Sequence, residues 1–409
     1  MEEATTATQT VAILGAGWAG LPLAHKLLKY TAPRVAQEKG GGLRVVLVSP
    51  NSHFFWNVAA ARGVIPGEIS DDELFLPIEP AFAQYPRDQF EFVLGAAEGI
   101  DAEGSKVKVV LNDGAEKELA YDHLVIATGS RVKSGLPLKP VGTHEGTLAR
   151  WKELQERVGA ARSIVVAGGG PTGVELAGEL AARYGDEKEE EKRKTITIVM
   201  SGDKPVSTAM PSVQDVILRD LHKLGVNVVR GARVESVRET SSASPTMTTS
   251  IITLSDGQTF ETDLYLPAHG VQVNTSFVPK KFLDPEGSVR LDPSMRVTGT
   301  SNVWAIGDVG NLEPKQLTVT DSQIIHLSSA LHAALTMTTM TTGPGAAVSA
   351  YRPAGKTMVF VSLGRRHAAG QVGGWRLWGW VVSYVKGRRL FVDTAQGYVG
   401  GKHLRHAAM

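Results

Sequence analysis

Two glycine-rich turns constrain the fold of this 409-residue chain more than any other sequence feature. The first, GAGWAG at 15–20, follows the apolar run VAIL at 11–14 and precedes a helical pattern. The second, GGGPTG at 168–173, begins 153 residues later (168 − 15) and has the same surroundings. Glycines at these spacings allow a tight turn, a close approach of the backbone to a pyrophosphate, and close packing of a helix on a strand. The two turns therefore predict two dinucleotide-binding βαβ units.

The segments after each turn predict how the two units are completed. Each helix is followed by an apolar run, at 43–48 and 195–200, and then by alternating apolar and polar residues that predict a β-meander. The low-complexity stretch 239–250 in the second meander is predicted to be a protruding, disordered hairpin loop. NVWAIGDVGNL at 302–312 predicts a short buried strand, and the periodic segment from Leu317 predicts a helix that completes the first half.

The composition excludes several classes of function. The chain has 43 Lys and Arg against 42 Asp and Glu, a net charge of +1, so no global field favours nucleic acid as a partner. No apolar run has the roughly 20 residues that a membrane-spanning helix requires, and the expected compartment is the cytoplasm. The chain contains no cysteine, which excludes disulfides, cysteine-ligated metals and any redox-active cysteine pair. No metal site is predicted.

Four motifs occur in an order that resembles the two-dinucleotide flavoproteins. They are GAGWAG, LVIATGS at 124–130, GGGPTGVELAGEL at 168–180 and NVWAIGDVG at 302–310. HFFWNVAAARGVI at 53–65 and TDLYLPAHGVQVN at 262–274 further resemble the apoptosis-inducing-factor-like group, and most closely its ferroptosis-suppressor subgroup of NAD(P)H:quinone oxidoreductases. This resemblance implies an α/β fold with two Rossmann-like, glutathione-reductase-like domains. FAD is implied in the first and NAD(P)H as co-substrate in the second.

The predicted domains follow from these assignments. Residues 1–132 and 290–345 are predicted to form the FAD-binding domain, residues 133–289 the NAD(P)H-binding domain, and residues 346–409 a small C-terminal segment.

The resemblance also implies which residues contact each cofactor. Around FAD these are Gly15, Gly17, Trp18, Ala19, Gly20, Arg62, Ala97, Thr128, Gly129, Gly307 and Asp308, and around NAD(P)H they are Gly168, Gly170, Gly173 and Glu175. Asp308 is implied at the ribitol, where a carboxylate suits hydroxyl donors, although a helix N-cap is an alternative role. For Arg62 the alternative is an exposed arginine after a helical turn. The helix from Leu317 is expected to direct its N-terminus at the flavin.

Both units lack the acidic residue expected near the end of the second strand. The first of these strands ends at Ser49, 29 residues after Gly20 (49 − 20), and this hydroxyl is predicted to bind the adenosine ribose less strongly than a carboxylate would. The second ends at Met200 and Ser201. Because an acid at this position repels a 2′-phosphate, its absence predicts that NADPH is accepted. Lys204 is either a candidate for binding that phosphate or an ordinary exposed lysine.

The absence of cysteine predicts how electrons leave the flavin. Hydride is expected to pass from NAD(P)H to FAD, and electrons then go directly to an acceptor, which the resemblance implies to be a quinone-like small molecule. The alternatives are a redox-sensing binding protein and a reductase of a small electron-carrier protein. No catalytic acid or base is assigned except the candidate His269, for which a packed loop histidine is the alternative. Residues 54–56 either line the flavin or belong to the core.

The segment 375–389 combines three tryptophans with basic residues. This mixture predicts an interfacial helix, with Arg376, Lys386, Arg388 and Arg389 facing lipid phosphates. The alternative is a helix that caps the FAD-binding domain or forms a dimer contact. Glu2 stands where N-myristoylation requires glycine, so any peripheral membrane contact is expected to be weak and to depend on this segment.

Overall fold

The computed structural model describes residues 8–185, 187, 189, 192–240, 249–336, 349–353, 355, 357–402 and 404. The first seven residues, on which the expectation about acylation depends, lie outside the described residues. The chain forms an α/β structure built on a mixed seven-stranded sheet and a parallel four-stranded sheet, which confirms the predicted fold class.

The strands and helices of the described residues are as follows. The strands are β1 Gln9–Leu14, β2 Leu43–Ser49, β3 His53–Phe55, β4 Phe75–Pro77, β5 Phe90–Asp101, β6 Lys106–Leu111, β7 Glu116–Ala120, β8 His123–Ile126, β9 Ser130–Val132, β10 Ser163–Ala167, β11 Thr195–Val199, β12 Asn227–Val229, β13 Val234–Thr240, β14 Thr249–Leu254, β15 Thr259–Thr262, β16 Leu264–Pro267, β17 Val271–Val273, β18 Val303–Ala305, β19 Met358–Leu363, β20 His367–Val372 and β21 Trp375–Leu377. The α-helices are α1 Gly20–Lys26, α2 Ala32–Lys39, α3 Ala60–Gly63, α4 Asp71–Leu74, α5 His144–Ala160, α6 Pro171–Tyr184, α7 Pro211–Lys223, α8 Leu317–Thr336, α9 Gly379–Val382 and α10 Val392–Val399.

The first sheet has the strand order β18-β8-β1-β2-β5-β6-β7. Strands β18 to β5 in this order are parallel, and β5, β6 and β7 continue as the predicted antiparallel meander. The central strand β1 is apolar throughout because alternate side chains enter different cores. Val11 and Ile13 pack into one, and Ala12 and Leu14 into the other. Strand β18 pairs with β8, so a segment distant in sequence completes this sheet.

The second sheet repeats this arrangement with the strand order β12-β11-β10-β16, all parallel. A separate antiparallel sheet, β13-β14-β15, is the predicted second meander. Strands β13 and β14 pair as far as Thr240 and Thr249, so they form the predicted hairpin. Its loop at 241–248, for which disorder was predicted, lies outside the described residues.

The C-terminal segment packs against both units. Strands β19, β20 and β21 form an antiparallel sheet whose first strand lies on α6, where a Cβ added at Gly178 would be 2.3 Å from Leu363 Cδ2. Strand β20 lies on α7, and Gln371 Oε1 accepts a hydrogen bond of 2.6 Å from the Met210 amide. Helix α10 returns to the first unit, where the Val399 carbonyl is 2.8 Å from His25 Nε2.

The segment 375–389 is not the single interfacial helix that the sequence predicted. It consists of β21, the short helix α9 and a π-helical turn at Ser383–Gly387. Glycines interrupt it, and Gly379 lies so close to β20 that an added Cβ would be 2.7 Å from the Ala368 carbonyl oxygen. Its three tryptophans are exposed, whereas Lys386 is buried, so that lysine does not face lipid as predicted. Among the described residues, no helix has the length and apolar character to cross a membrane.

Candidate active site

The first glycine turn has the geometry that a bound pyrophosphate requires. Gly15 has φ +109°, and a Cβ there would lie 2.4 Å from the Ala127 carbonyl oxygen at the end of β8. A Cβ at Gly20 would lie 1.9 Å from the Gly15 carbonyl oxygen, so only glycine lets α1 approach this closely. At Gly17 a Cβ would meet no atom within 4 Å, so the middle of the turn faces open space.

The second turn repeats the first position by position. Gly168 has φ +137° and would place a Cβ 2.6 Å from the Ala268 carbonyl oxygen, while a Cβ at Gly173 would lie 2.1 Å from the Gly168 carbonyl oxygen. Gly170 faces open space, as Gly17 does. The N-caps of the following helices, Ala19 and Gly170, provide no side-chain hydrogen bond, so amide donors at both helix N-termini are available to phosphate oxygens. Both turns therefore fit a dinucleotide.

Two further turns border the first glycine turn. A Cβ at Gly307 would lie 3.3 Å from Ala19 Cβ, which places the residue before Asp308 against the start of α1. The turn at Thr128 and Gly129 is held by Asn274, whose side-chain amide donates to the Thr128 carbonyl at 2.9 Å and whose backbone amide donates to Gly129 at 3.0 Å. The structure thus brings together the predicted residues at 15–20, 128–129 and 307–308.

Asp308 has two partners that sequence reasoning missed. Its Oδ2 accepts hydrogen bonds from Ser130 Oγ at 2.6 Å and from Lys139 Nζ at 3.0 Å. Lys139 also donates to Ser130 at 2.6 Å, so the three groups form a closed triangle. Ser130 immediately follows the turn at Thr128 and Gly129, so its position in the sequence could have identified it as a partner. No local pattern identifies Lys139. Carboxylate oxygens accept hydrogen bonds from hydroxyl groups, and Oδ2 already accepts one from Ser130.

Ser49 and Ala97 both lie near the carboxyl ends of the parallel strands. Ser49 ends β2, but its hydroxyl already donates to the Asn51 carbonyl at 3.0 Å and accepts from the Asn51 amide at 3.1 Å. Ala97 follows Leu94, the last residue of β5 that pairs with β2. Both residues therefore lie at the same end of the sheet. Their contacts with the adenosine remain predictions.

An aromatic cluster packs beside the first glycine turn. The Trp18 ring lies 5.0 Å from Phe54, 4.7 Å from Trp56 and 4.9 Å from Tyr398. Burial raises the pKa of Tyr398 well above its ordinary value, so its hydroxyl stays protonated and donates to the Trp18 carbonyl at 2.9 Å. Sequence reasoning missed Tyr398. Helix α10 is thereby bonded directly to the predicted FAD turn.

A comparison with protein-family models matches residues 9–329 to the pyridine nucleotide-disulphide oxidoreductase family. The chain belongs to this family. The oxidoreductase ptaL of Pestalotiopsis fici is 38% identical over 96% of this chain and 99% of its own length. Human ferroptosis suppressor protein 1 is 27% identical over 94% of each chain. Among solved structures, the sulfide:quinone oxidoreductase of Aquifex aeolicus superposes with a TM-score of 0.73 at 16% identity, covering 97% of this chain and 93% of that one.

These matches confirm the predicted resemblance to apoptosis-inducing-factor-like flavoproteins. The protein is an FAD-dependent oxidoreductase that uses NAD(P)H. The family is named for a disulphide, yet this flavoprotein contains no cysteine, so its reaction does not pass through a cysteine pair. Held at the first glycine turn and at Asp308, FAD would supply the capacity to accept hydride from NAD(P)H and to donate electrons.

Arg62 and Glu175 meet in a buried network between the two units and the C-terminal segment. Arg62, which is 2% exposed and so not the surface residue considered as its alternative, donates to both Glu179 carboxylate oxygens at 2.8 and 2.9 Å. It also donates to the carbonyls of Gly387 and Arg388. Glu175 accepts from Lys386 Nζ at 2.5 Å and from the Ser362 amide at 3.0 Å. Sequence reasoning missed Glu179 as a partner, and the cofactor contacts of Arg62 and Glu175 stay predictions.

His269 and Lys204 lie near the second glycine turn. His269 is exposed rather than packed, and its Cβ would be 3.4 Å from a Cβ at Gly168. Its position leaves it a candidate for proton transfer. Lys204 is also exposed, and its Nζ is 2.7 Å from Asp215, so it already has an anionic partner. Sequence reasoning missed Asp203, an exposed carboxylate, although its position two residues after Ser201 could have identified it as a candidate acid.

Proposed function

We propose that this flavoprotein transfers electrons from NAD(P)H to a quinone-like acceptor. The observation that carries the proposal is an exposed aromatic surface on the C-terminal segment, with Trp375, Trp378 and Trp380 at 81%, 69% and 69% exposure. Tryptophan is enriched where proteins meet the headgroup region of a membrane, and lipid-soluble quinones are found there. Without cysteine, electrons must pass to such an acceptor directly.

The segment that carries this surface is bonded to the cofactor site. The Leu390 carbonyl accepts a hydrogen bond of 2.9 Å from Trp56 Nε1, in the aromatic cluster beside the first glycine turn. Lys386 is anchored on Glu175 of α6, four residues before Glu179, which binds Arg62. An acceptor that approaches along this segment would therefore meet residues that support both units. The fold of a sulfide:quinone oxidoreductase agrees with such an acceptor.

Steady-state oxidation of NADH and NADPH with three acceptors tests the proposed function. We expect rates that rise and saturate with menadione and with a short-chain ubiquinone, and little rate with a small ferredoxin. Negligible turnover with a long-lived reduced complex would instead indicate a redox-sensing binding protein. Turnover with ferredoxin alone would indicate a reductase of a carrier protein, and either result would overturn the quinone proposal.

We also propose that the protein contacts membranes peripherally through 375–389. The exposed side chains of Arg376, Arg388 and Arg389 lie on the same segment as the tryptophans, and each cation near an anionic surface contributes about 1 kcal/mol. The contact should be reversible and weakened by salt, because it depends on exposed charges.

The choice of nicotinamide dinucleotide should respond to a charge at Ser201. This residue is exposed just after β11, where an acidic side chain would accept ribose hydroxyls and repel a 2′-phosphate. The wild type is expected to use NADPH within roughly tenfold of NADH, about 1.4 kcal/mol. Ser201→Glu should move the ratio of kcat/KM values toward NADH by roughly another tenfold.

Thr259→Glu on β15 adds the same charge at an exposed position elsewhere in the same unit and serves as the matched control. It should leave the ratio unchanged. A wild type whose kcat/KM for NADH exceeds that for NADPH by roughly a thousandfold, about 4 kcal/mol, would contradict the prediction. Asp203 would then be the next carboxylate to test as the group that repels the 2′-phosphate.

A further inference from the structure

A cavity of about 360 Å³ lies between α7 and the C-terminal sheet. It is lined by Arg219, Lys223, Arg366, Arg376, Trp378 and Trp380, among others. The cavity lies toward the C-terminal end of α7. The N-terminal end of that helix, in contrast, starts five residues after Val206 (211 − 206), whose amide donates to the Gly169 carbonyl at 2.7 Å. Val216 is the first residue of α7 that lines the cavity, and no residue of the second glycine turn lines it, so the cavity is distinct from the dinucleotide turn.

The charged groups around the cavity are mostly cationic. Four cations, from Arg219, Lys223, Arg366 and Arg376, face one carboxylate, that of Asp220. Asp220 is 4% exposed, and Arg219 Nε and Nη2 both lie 3.0 Å from its Oδ1. Its other oxygen is 3.8 Å from His367 Nδ1. This carboxylate is thus already paired with Arg219 within the cavity wall.

The remaining three cations have no such partner among the described residues. In the part of the chain that the structure describes, neither Lys223, Arg366 nor Arg376 forms an ion pair with a carboxylate, although all three are exposed. Cations that converge without a counter-charge raise the local potential and favour an anionic ligand. Lys223 and Arg376 belong to different parts of the fold, so the convergence is produced by packing of β20 and β21 on α7.

The rim of the cavity identifies the kind of anion. Trp378 and Trp380 line it with rings 6.2 Å apart and nearly parallel, and both are mostly exposed. Tyr384 and Val385, exposed by 65% and 53%, continue this apolar surface along the chain. A site for a soluble anion has no need of exposed tryptophans, whereas a lipid headgroup presents its phosphate beside apolar glycerol and acyl groups.

We propose that this cavity binds the phosphate of an anionic phospholipid headgroup while Trp378 and Trp380 insert beside it. The inference rests on the proposed membrane contact and gives that contact a defined site. Lys223, Arg366 and Arg376 hold the headgroup, and the tryptophans select a bilayer surface over a phosphate in solution.

Flotation of the FAD-loaded full chain with vesicles tests the site. Phosphatidylcholine vesicles with and without phosphatidylserine are compared, with tryptophan fluorescence as a second readout of insertion. Wild type should float with phosphatidylserine vesicles and show a blue-shifted emission. Each of Lys223→Gln, Arg366→Gln and Arg376→Gln should weaken binding about fivefold, and the triple variant on the order of a hundredfold.

The matched control is the triple variant Lys106→Gln, Lys108→Gln and Lys281→Gln, which changes the net charge equally. Lys106 and Lys108 lie on β6 of the first meander, and Lys281 pairs with Glu103, between β5 and β6. It should bind vesicles nearly as wild type does. Both triple variants should keep their flavin content, since none of these residues lies at the glycine turns. Trp378→Ser with Trp380→Ser should lose binding and the fluorescence change.

The outcomes separate the inference from the proposals on which it rests. If the tryptophan variant loses binding while Lys223→Gln, Arg366→Gln and Arg376→Gln together do not, the membrane contact stands and the headgroup site is overturned. Absence of wild-type binding to phosphatidylserine vesicles overturns both, while turnover with menadione still decides the quinone proposal. If inorganic phosphate at low millimolar concentration releases the wild type from vesicles, the ligand is a soluble anion and the lipid assignment is overturned.

Discussion

Asp308→Ala is expected to yield a protein that has lost most of its FAD. The carboxylate lies against the first glycine turn through Gly307 and is held in place by Ser130 and Lys139. A hydrogen bond to a charged group contributes about 1.5–3 kcal/mol, so its loss should weaken flavin affinity by roughly ten- to a hundredfold. The alanine also leaves the Lys139 ammonium without its carboxylate partner, which disfavours the local arrangement further.

The measurement is the visible absorbance of flavin per chain after gel filtration, followed by titration with added FAD. Asp308→Asn is the informative companion, since it preserves the shape and one acceptor oxygen but removes the charge, and it should retain an intermediate amount. Asp113→Ala, in an exposed turn of the meander, serves as the control and should retain all the flavin. If Asp308→Ala retained FAD as wild type does, the assignment of this carboxylate to the flavin site would be wrong.

Arg62→Met should destabilise the protein more than any other single substitution considered. The change leaves Glu179, whose side chain is 3% exposed, as a buried carboxylate without its cation. Removal of one partner from a buried ion pair costs about 3–5 kcal/mol, because the remaining charge has lost both water and its counter-charge. The carbonyls of Gly387 and Arg388 lose donors as well, so the C-terminal segment should detach first.

A double variant distinguishes this mechanism from simple loss of packing. Arg62→Met with Glu179→Leu removes both charges, and we expect it to recover most of the lost stability, since a well-packed apolar pair can replace a buried ion pair. Arg183→Gln is the exposed counterpart, because Arg183 is exposed and its partners Glu68 and Glu187 are partly exposed, and it should change stability by about 0.5 kcal/mol or less. Urea unfolding followed by circular dichroism and flavin fluorescence measures all three. A loss of about 1 kcal/mol or less for Arg62→Met would contradict the buried-charge account.

Much of the architecture follows from local patterns in the chain. The two turns at 15–20 and 168–173 need glycine because neighbouring carbonyl oxygens lie within 2.6 Å of an added Cβ at the first and last glycines of each. Period-two alternation predicted the meanders, and the periodic segment from Leu317 predicted α8. These signals depend on backbone geometry and on which face of an element is buried. About 20 residues of sequence are enough to predict each of these two properties.

The candidate site was predicted less completely than the fold. The turns at 128–129 and 307–308 do come together with the first glycine turn, but nothing local indicated that Lys139 would bind Asp308, 169 positions away, or that Tyr398 would bond to Trp18 across 380 positions. The composition of 375–389 correctly indicated exposed tryptophans. It did not indicate a strand and two short helical turns, because that choice depends on the close contact of Gly379 with β20.

The sequence by itself determined the α/β class, the two dinucleotide turns and a reaction without a cysteine relay, because glycine spacing, strand periodicity and the absence of a residue type do not depend on what packs against them. Only the tertiary structure decided which charged side chains are buried in ion pairs and which are exposed. Arg62 and Lys386 look alike in sequence to Arg376 and Arg366, yet the first two are buried against Glu179 and Glu175 and the last two surround an exposed cavity. Whether a charged side chain becomes a buried partner or a binding group depends on which distant elements enclose it, since desolvation and pairing are properties of the packed chain.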